Sequence, residues 1–160
     1  MNELILNERF SDEYFMRQAL VQAKEAELKD EVPVGAVIVW KNKIIARAGN
    51  QVESLKDGTA HAEMIALTQA AAAVGDWRLT ECRLYVSKEP CAMCAGAMVN
   101  CRLGKLFFAC YDERMGAAGS AMNITGFSGM LHRVEVQGGL LEEEASEMLK
   151  KFFQRRRKEN

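Results

Sequence analysis

R-L-Y-V-S-K-E-P-C-A-M-C-A-G-A-M-V-N, residues 83–100, is the stretch whose reading decides the fold. Residues 83–87 are short, apolar and rich in strand-forming types, so they read as a strand. Pro90 fixes the backbone angle favoured at a helix start and lacks the amide hydrogen that position leaves unused. A helix is therefore expected at about residues 91–100. Downstream, residues 105–110 (KLFFAC) read as the next strand. Residues 111–131 are Gly-, Met- and Ser-rich and irregular. Residues 133–137 suit a further strand and 141–157 a long C-terminal helix. Upstream, the Ala-rich run 61–74 is helical and stops at Gly75. The apolar, β-branched run 34–40 (VGAVIVW) has the pattern of a strand buried on both faces. It pairs with a strand at 43–48 through a tight turn at Lys41 and Asn42. Residues 12–28 carry apolar side chains at three- and four-residue spacing, with Ser11 or Asp12 available as a cap. Helices alternating with five strands imply an α/β fold, a three-layer α/β/α sandwich around a central mixed five-stranded sheet.

The 160 residues fit one domain, 1–160, with no internal repeat, low-complexity segment or linker. With 49% apolar and 27% charged residues, the composition is that of a globular chain and excludes disordered and fibrous classes. The net charge of -1 is not that of a polycation, so nucleic-acid binding would have to come from a local patch. The opening MNELILNERFSDEY lacks the basic start and the long apolar run of a signal peptide, and no stretch is long enough to span a membrane. A cytoplasmic protein with no membrane partner is expected. Five cysteines, an odd count without a secretory signal, argue against a disulfide framework and leave core thiols or metal ligands. His61 and His132 are the only histidines, so any metal site draws on a short list.

Two fragments carry the chemistry, H-A-E at 61–63 and P-C-A-M-C at 90–94. Cys91 and Cys94 are three apart, which on a helix puts both sulfurs on one face. Near a helix N-terminus, free amides and the helix dipole favour the thiolate, the form that binds metal. His61 supplies an imidazole nitrogen. Two thiolates and one imidazole suit zinc and leave a fourth tetrahedral position open for water, which marks a catalytic site. Glu63 is the candidate base for that water. Positions two apart on an ideal helix diverge, so His61 is expected at the very start of its helix, after a turn at Asp57, Gly58 and Thr59. Taken alone, C-x-x-C also fits a redox pair, two core thiols or half of a structural zinc site. A structural site wants four protein ligands, and Cys82, Cys101 and Cys110 form no second close pair. The combination of the two fragments favours catalytic zinc.

H-x-E followed by P-C-x-x-C is the known signature of zinc nucleobase deaminases. On these residues the chain resembles the cytidine deaminase-like superfamily. Within it, the chain is similar to the bacterial tRNA-specific adenosine deaminases. That closer likeness rests on E-V-P-V-G-A-V at 31–37, Asn50, T-A-H-A-E at 59–63, L-Y-V-S-K-E-P-C-A-M-C-A-G-A-M at 84–98, G-A-A-G-S at 116–120, H-R-V-E at 132–135 and F-F-Q-R-R-R at 152–157. The resemblance implies one zinc ion per subunit on His61, Cys91 and Cys94, with Glu63 as proton shuttle. It implies that Asn50 and the Ala62 backbone hold a flipped purine and that Asp112 contacts RNA near the target. It also implies a homodimer acting on the wobble adenosine of a tRNA anticodon stem-loop. The chain departs from the family at Gly58 in place of proline, at Phe127 and Ser128 in place of a His-Pro pair, and at Leu131 in place of asparagine. A free-base or nucleoside deaminase is the alternative with the same chemistry. A non-catalytic structural-zinc module that binds nucleic acid is the alternative from another class.

Arg155, Arg156, Arg157 and Lys158 end the C-terminal helix, where cations suit the helix dipole. The resemblance favours RNA phosphate contact for the three arginines. Phe152 and Phe153 read as core, Met115, Met122 and Met130 as adaptable filling, Trp40 and Trp77 as apolar fillers, and His132 as structural. Cys82, Cys101 and Cys110 read as buried thiols.

Overall fold

The apolar run ahead of residue 41 becomes β1 (Gly35–Trp40), buried along its whole length except at Trp40. It lies inside the sheet because strands pair on both its edges. In the computed structural model, which describes residues 9–160, the elements follow in order. They are α1 (Asp12–Leu28), β1, β2 (Lys43–Gly49), α2 (Val52–Leu55), α3 (Ala62–Val74), β3 (Arg83–Lys88), α4 (Ala92–Asn100), β4 (Lys105–Cys110), β5 (Glu135–Gly138) and α5 (Glu142–Glu159). Within the described residues the expected order of helices and strands is met. The one-turn helix α2 is additional; four residues carry no periodicity to read. It ends at Lys56 in the left-handed region, with φ 53°.

The five strands form one sheet in the order β2-β1-β3-β4-β5. β1 is antiparallel to β2 and β3, while β3–β4 and β4–β5 are parallel, so the sheet is mixed. The β1–β2 hairpin turns at Lys41 and Asn42, both at positive φ, the geometry that matches strand twist. Successive strand residues face opposite layers. Ala36, Ile38, Leu84, Val86, Leu106 and Phe108 pack with Ala66, Leu67 and Met98 of α3 and α4. Val37, Val39, Tyr85 and Phe107 pack with Phe15, Met16 and Ala19 of α1 and Ala145 of α5. Helices thus cover both faces, giving the three-layer sandwich.

Gly35 shows how closely α1 lies on the sheet. A Cβ there would stand 2.1 Å from the Ala19 carbonyl oxygen and 2.2 Å from the Ala23 nitrogen. Ser11 caps α1 by accepting from the Tyr14 amide at 3.1 Å. Several single residues differ from expectation. Trp77 is half exposed, with the Arg78 guanidinium over its ring, and Met115, Met122 and Met130 lie at the surface. Their segments are loops, where periodicity gives no facing. His132 does act structurally, its Nε2 2.7 Å from the Leu103 carbonyl oxygen. Cys82 and Cys110 are buried and Cys101 is half-buried. No helix among the described residues is long and apolar enough to cross a membrane.

Candidate active site

Two helix N-termini meet at the site. His61 is the N-cap of α3, with φ -73° and ψ 149°, and no side chain caps that helix. The extended backbone at residue 61 lets its ring and the Glu63 side chain serve one place, although they are two residues apart. Asp57 does not cap α3. Its Oδ1 accepts from the Thr59 amide at 2.8 Å and hydroxyl at 2.7 Å, closing the turn that delivers the chain to His61. Cys91 is likewise the N-cap of α4, one residue after Pro90, and Cys94 lies in the first turn. Both helices therefore aim unpaired amides and positive dipole ends at the same spot.

The ligand atoms of His61, Cys91 and Cys94 lie within 4.8 Å of one another. His61 Nδ1 is 3.6 Å from Cys91 Sγ and 3.5 Å from Cys94 Sγ. A tetrahedral zinc with Zn–S of about 2.3 Å and Zn–N of about 2.0–2.1 Å separates sulfur from nitrogen by about 3.6 Å. The geometry and the donor chemistry both fit a bound metal ion. Among the described residues these are the only clustered His, Cys, Asp or Glu groups arranged to hold one. A hydrogen bond with Cys94, then one with His61, pushes the Cys91 thiol down to about 3. The hydrogen bond with Cys91, then burial, pushes Cys94 up. A bound dication favours the thiolate form of both sulfurs.

Glu63 is buried, and that burial raises its pKa. It lies on the wall of a cavity of about 370 Å³ that is also lined by Asn50, His61, Ala62, Cys91 and Asp112. The structure thus brings together the expected metal, acid–base and substrate residues. Asn50 Oδ1 is buried and has no hydrogen-bond partner. A buried carbonyl without a partner is costly, and in a cavity wall it is an acceptor ready for a ligand. Asp112 is more occupied. Its Oδ2 is 2.9 Å from Lys88 Nζ, and its Oδ1 accepts from the Arg114 and Met115 amides at 3.0 Å each. Burial would raise its pKa, but the Lys88 hydrogen bond and the amides hold it below the usual aspartate range.

Sequence reasoning passed over Glu31, Lys88 and Glu89, all on the cavity wall. Glu89 is buried and ties the 112–120 loop to the P-C-x-x-C segment. Its Oε1 accepts from the Asp112 amide and the Ser120 hydroxyl, and its Oε2 from the Ala118 and Ser120 amides. Glu31, also buried, accepts from the Glu53 and Ser54 amides and the Ser54 hydroxyl, fixing α2 beside Asn50. Their signal was present: an acid flanking a buried strand must be satisfied, and a loop rich in free amides is the natural partner. Phe152 is buried as expected, but Phe153 is 44% exposed and faces the cavity. In the basic cluster, Arg156 donates to the Asp30 carbonyl at 2.6 Å, and Arg155 lies 3.9 Å from both Asp30 and Glu159.

Fold and site together define a deaminase, and residues 10–157 match the MafB19-like deaminase family. The chain is 46% identical over 147 residues to the tRNA-specific adenosine deaminase of Bacillus subtilis, covering 92% of this chain and 91% of that one. It is 46% identical over 145 residues to the Aquifex aeolicus protein of the same name, covering 91% and 95%. A solved structure from work on A-to-I editing by tRNA:A34 deaminases superposes with a TM-score of 0.82 at 41% identity, covering 85% of this chain and 99% of that one. The chain belongs to the tRNA-specific adenosine deaminase family.

Proposed function

We propose that this chain converts adenosine to inosine at the wobble position of a tRNA anticodon, using zinc on His61, Cys91 and Cys94 and Glu63 as the proton shuttle. The observation that carries this reading is the nitrogen–sulfur triangle at tetrahedral spacing, beside a buried carboxyl and an unpartnered Asn50 carbonyl in one cavity. The identity to named tRNA-specific adenosine deaminases supports the substrate.

When bound, zinc supplies Lewis acidity that makes a water nucleophilic near neutral pH. Glu63 takes one proton from that water as its oxygen attacks C6 of the adenine, and returns a proton to the ring nitrogen N1. Glu63 then carries the second proton of the added water to the amino group, which leaves as ammonia while the C6 carbonyl of inosine forms. A carboxyl that both accepts and donates works best with a raised pKa in a dry site. Asn50 accepts a hydrogen bond from the purine nucleoside, and Ala62, in the first turn of α3, offers an amide with no intrahelical partner. Phe153 offers a ring face to an unstacked base. Asp112 acts at the rim by orienting its neighbours. An anticodon loop presents an unpaired base, so extrusion costs little. Arg155, Arg156 and Arg157 give the surface a basic patch for the stem-loop backbone. The functional unit is a cytoplasmic homodimer, a reading supported by the exposed apolar side chains of Met122, Phe127 and Leu131.

The test is inosine detection at the wobble position after incubating purified protein with a candidate tRNA, with free adenine, guanine and cytosine in parallel. Glu63→Ala is expected to keep its zinc and lose deamination. Turnover of free bases alone would overturn the tRNA reading, and a near-wild-type Glu63→Ala rate would overturn the shuttle.

A further inference from the structure

The cavity wall is acidic. Glu31, Glu53, Glu63, Glu89 and Asp112 line it, and Lys88 is the one lysine or arginine among its lining residues. An RNA substrate brings phosphates to this wall. The fold eases that conflict by committing three of these carboxylates, Glu31, Glu89 and Asp112, to other partners. Glu31 and Glu89 spend their oxygens on loop amides and serine hydroxyls. Asp112 spends one oxygen on two amides and the other on Lys88.

Lys88 differs from these groups. It is the last residue of β3, aligned with Cys110 of β4, so its backbone is fixed. Its side chain is 34% exposed, against 13% for the Asp112 side chain it meets. A lysine ammonium has three N–H donors. Asp112 holds one end of that geometry rigidly, because its own carboxylate is pinned by the 114 and 115 amides. The ammonium keeps further donors beyond the one Asp112 takes, on a partly exposed side chain that lines the cavity.

We infer that Lys88 is a phosphate contact: Asp112 holds its ammonium at the cavity rim, where it takes a phosphodiester oxygen next to the nucleotide whose base enters the site. This rests on the functional reading above and assigns to Lys88 the anion contact that a carboxylate at 112 cannot make. Asp112 is the positioning residue for that contact.

The test measures binding of an anticodon stem-loop RNA to zinc-loaded protein in a Glu63→Ala background, with and without Lys88→Met, Lys88→Arg and Asp112→Asn. Lys88→Met keeps the apolar stem and removes the charge. It is expected to weaken binding about tenfold. The slope of log K against log salt should shrink by about 0.7, the loss of one contact on single-stranded RNA. Lys88→Arg restores the slope, and Asp112→Asn keeps the slope while weakening affinity. Thermal unfolding and zinc content check that each variant is folded. Folded Lys88→Met protein with unchanged affinity and slope overturns the inference and leaves the functional reading intact. If the unsubstituted chain neither binds nor edits the stem-loop, the functional reading fails and takes this inference with it.

Discussion

Replacing Glu89 with glutamine tests whether a buried carboxylate holds the active-site loop. Each Glu89 oxygen accepts two hydrogen bonds, Oε1 from the Asp112 amide and Ser120 hydroxyl, Oε2 from the Ala118 and Ser120 amides. A glutamine keeps one oxygen and turns an NH2 group toward the other two donors. The cheaper orientation puts the NH2 at the Oε1 place, because the Ser120 hydroxyl can rotate and accept from it. The Asp112 amide then loses its partner, and the remaining bonds lose their charge assistance. With hydrogen bonds to charged groups contributing about 1.5–3 kcal/mol each, the expected loss is about 2–4 kcal/mol. That is a large fraction of a typical stability of about 5–15 kcal/mol. The assay is urea unfolding of zinc-loaded protein at neutral pH, compared at equal slope. A loss below about 0.5 kcal/mol would refute the reasoning. Because Asp112 and its neighbours line the cavity, kcat/KM should also fall.

Gly116→Ala is expected to be destabilising by about 1–3 kcal/mol or more, because its Cβ would stand 2.4 Å from the Asp112 carbonyl oxygen and from the anchored Glu89 carboxylate; wild-type unfolding would show that the loop gives way freely. Cys94→Ala should lower bound zinc well below one ion per chain by elemental analysis, and retention of a full equivalent would remove Cys94 from the ligand set. Burial would raise the Glu31 carboxyl, but hydrogen bonds from Ser54 and Glu53 hold it below the ordinary glutamate value. A depressed folded pKa contributes stability that is present above the unfolded pKa and lost as pH falls through the folded one. Glu31→Gln should therefore flatten the acid limb of the stability–pH curve, measured by urea unfolding, and superimposable acid limbs would refute the role.

The sheet and its helices were legible because their signals are strong. Gly75 stops α3 in the left-handed region, with φ 79°; Pro90 precedes α4, and β1 is apolar throughout. Ala145, Met148, Leu149 and Phe152 make a helical stripe on α5, and all four face the core. Phe153 continues that stripe by one residue, so periodicity alone cannot show that it leaves the core for the cavity. The methionines of the 115–130 loop are misread for a related reason. Apolar identity suggests burial, but no period fixes which way a loop residue faces, and exposed apolar atoms are common on protein surfaces.

The metal triangle was legible because ligand chemistry restricts residue types and spacing. The carboxylates around it were not, because each acts through hydrogen bonds to amides far away in sequence. Glu89 and the 118–120 amides are about thirty residues apart. Only the fold brings them together. That arrangement answers a question the composition raises. A chain of net charge -1, with five acids lining its cavity, has no general attraction for RNA. Its affinity must come from placed cations, and the acids must be kept from opposing them. Hydrogen-bonding Glu31, Glu89 and Asp112 to backbone amides spreads their charge into the loops they hold in place. The same bonds build the wall and quiet its field. A substitution that frees one of these carboxylates should therefore weaken RNA binding even where the wall keeps its shape.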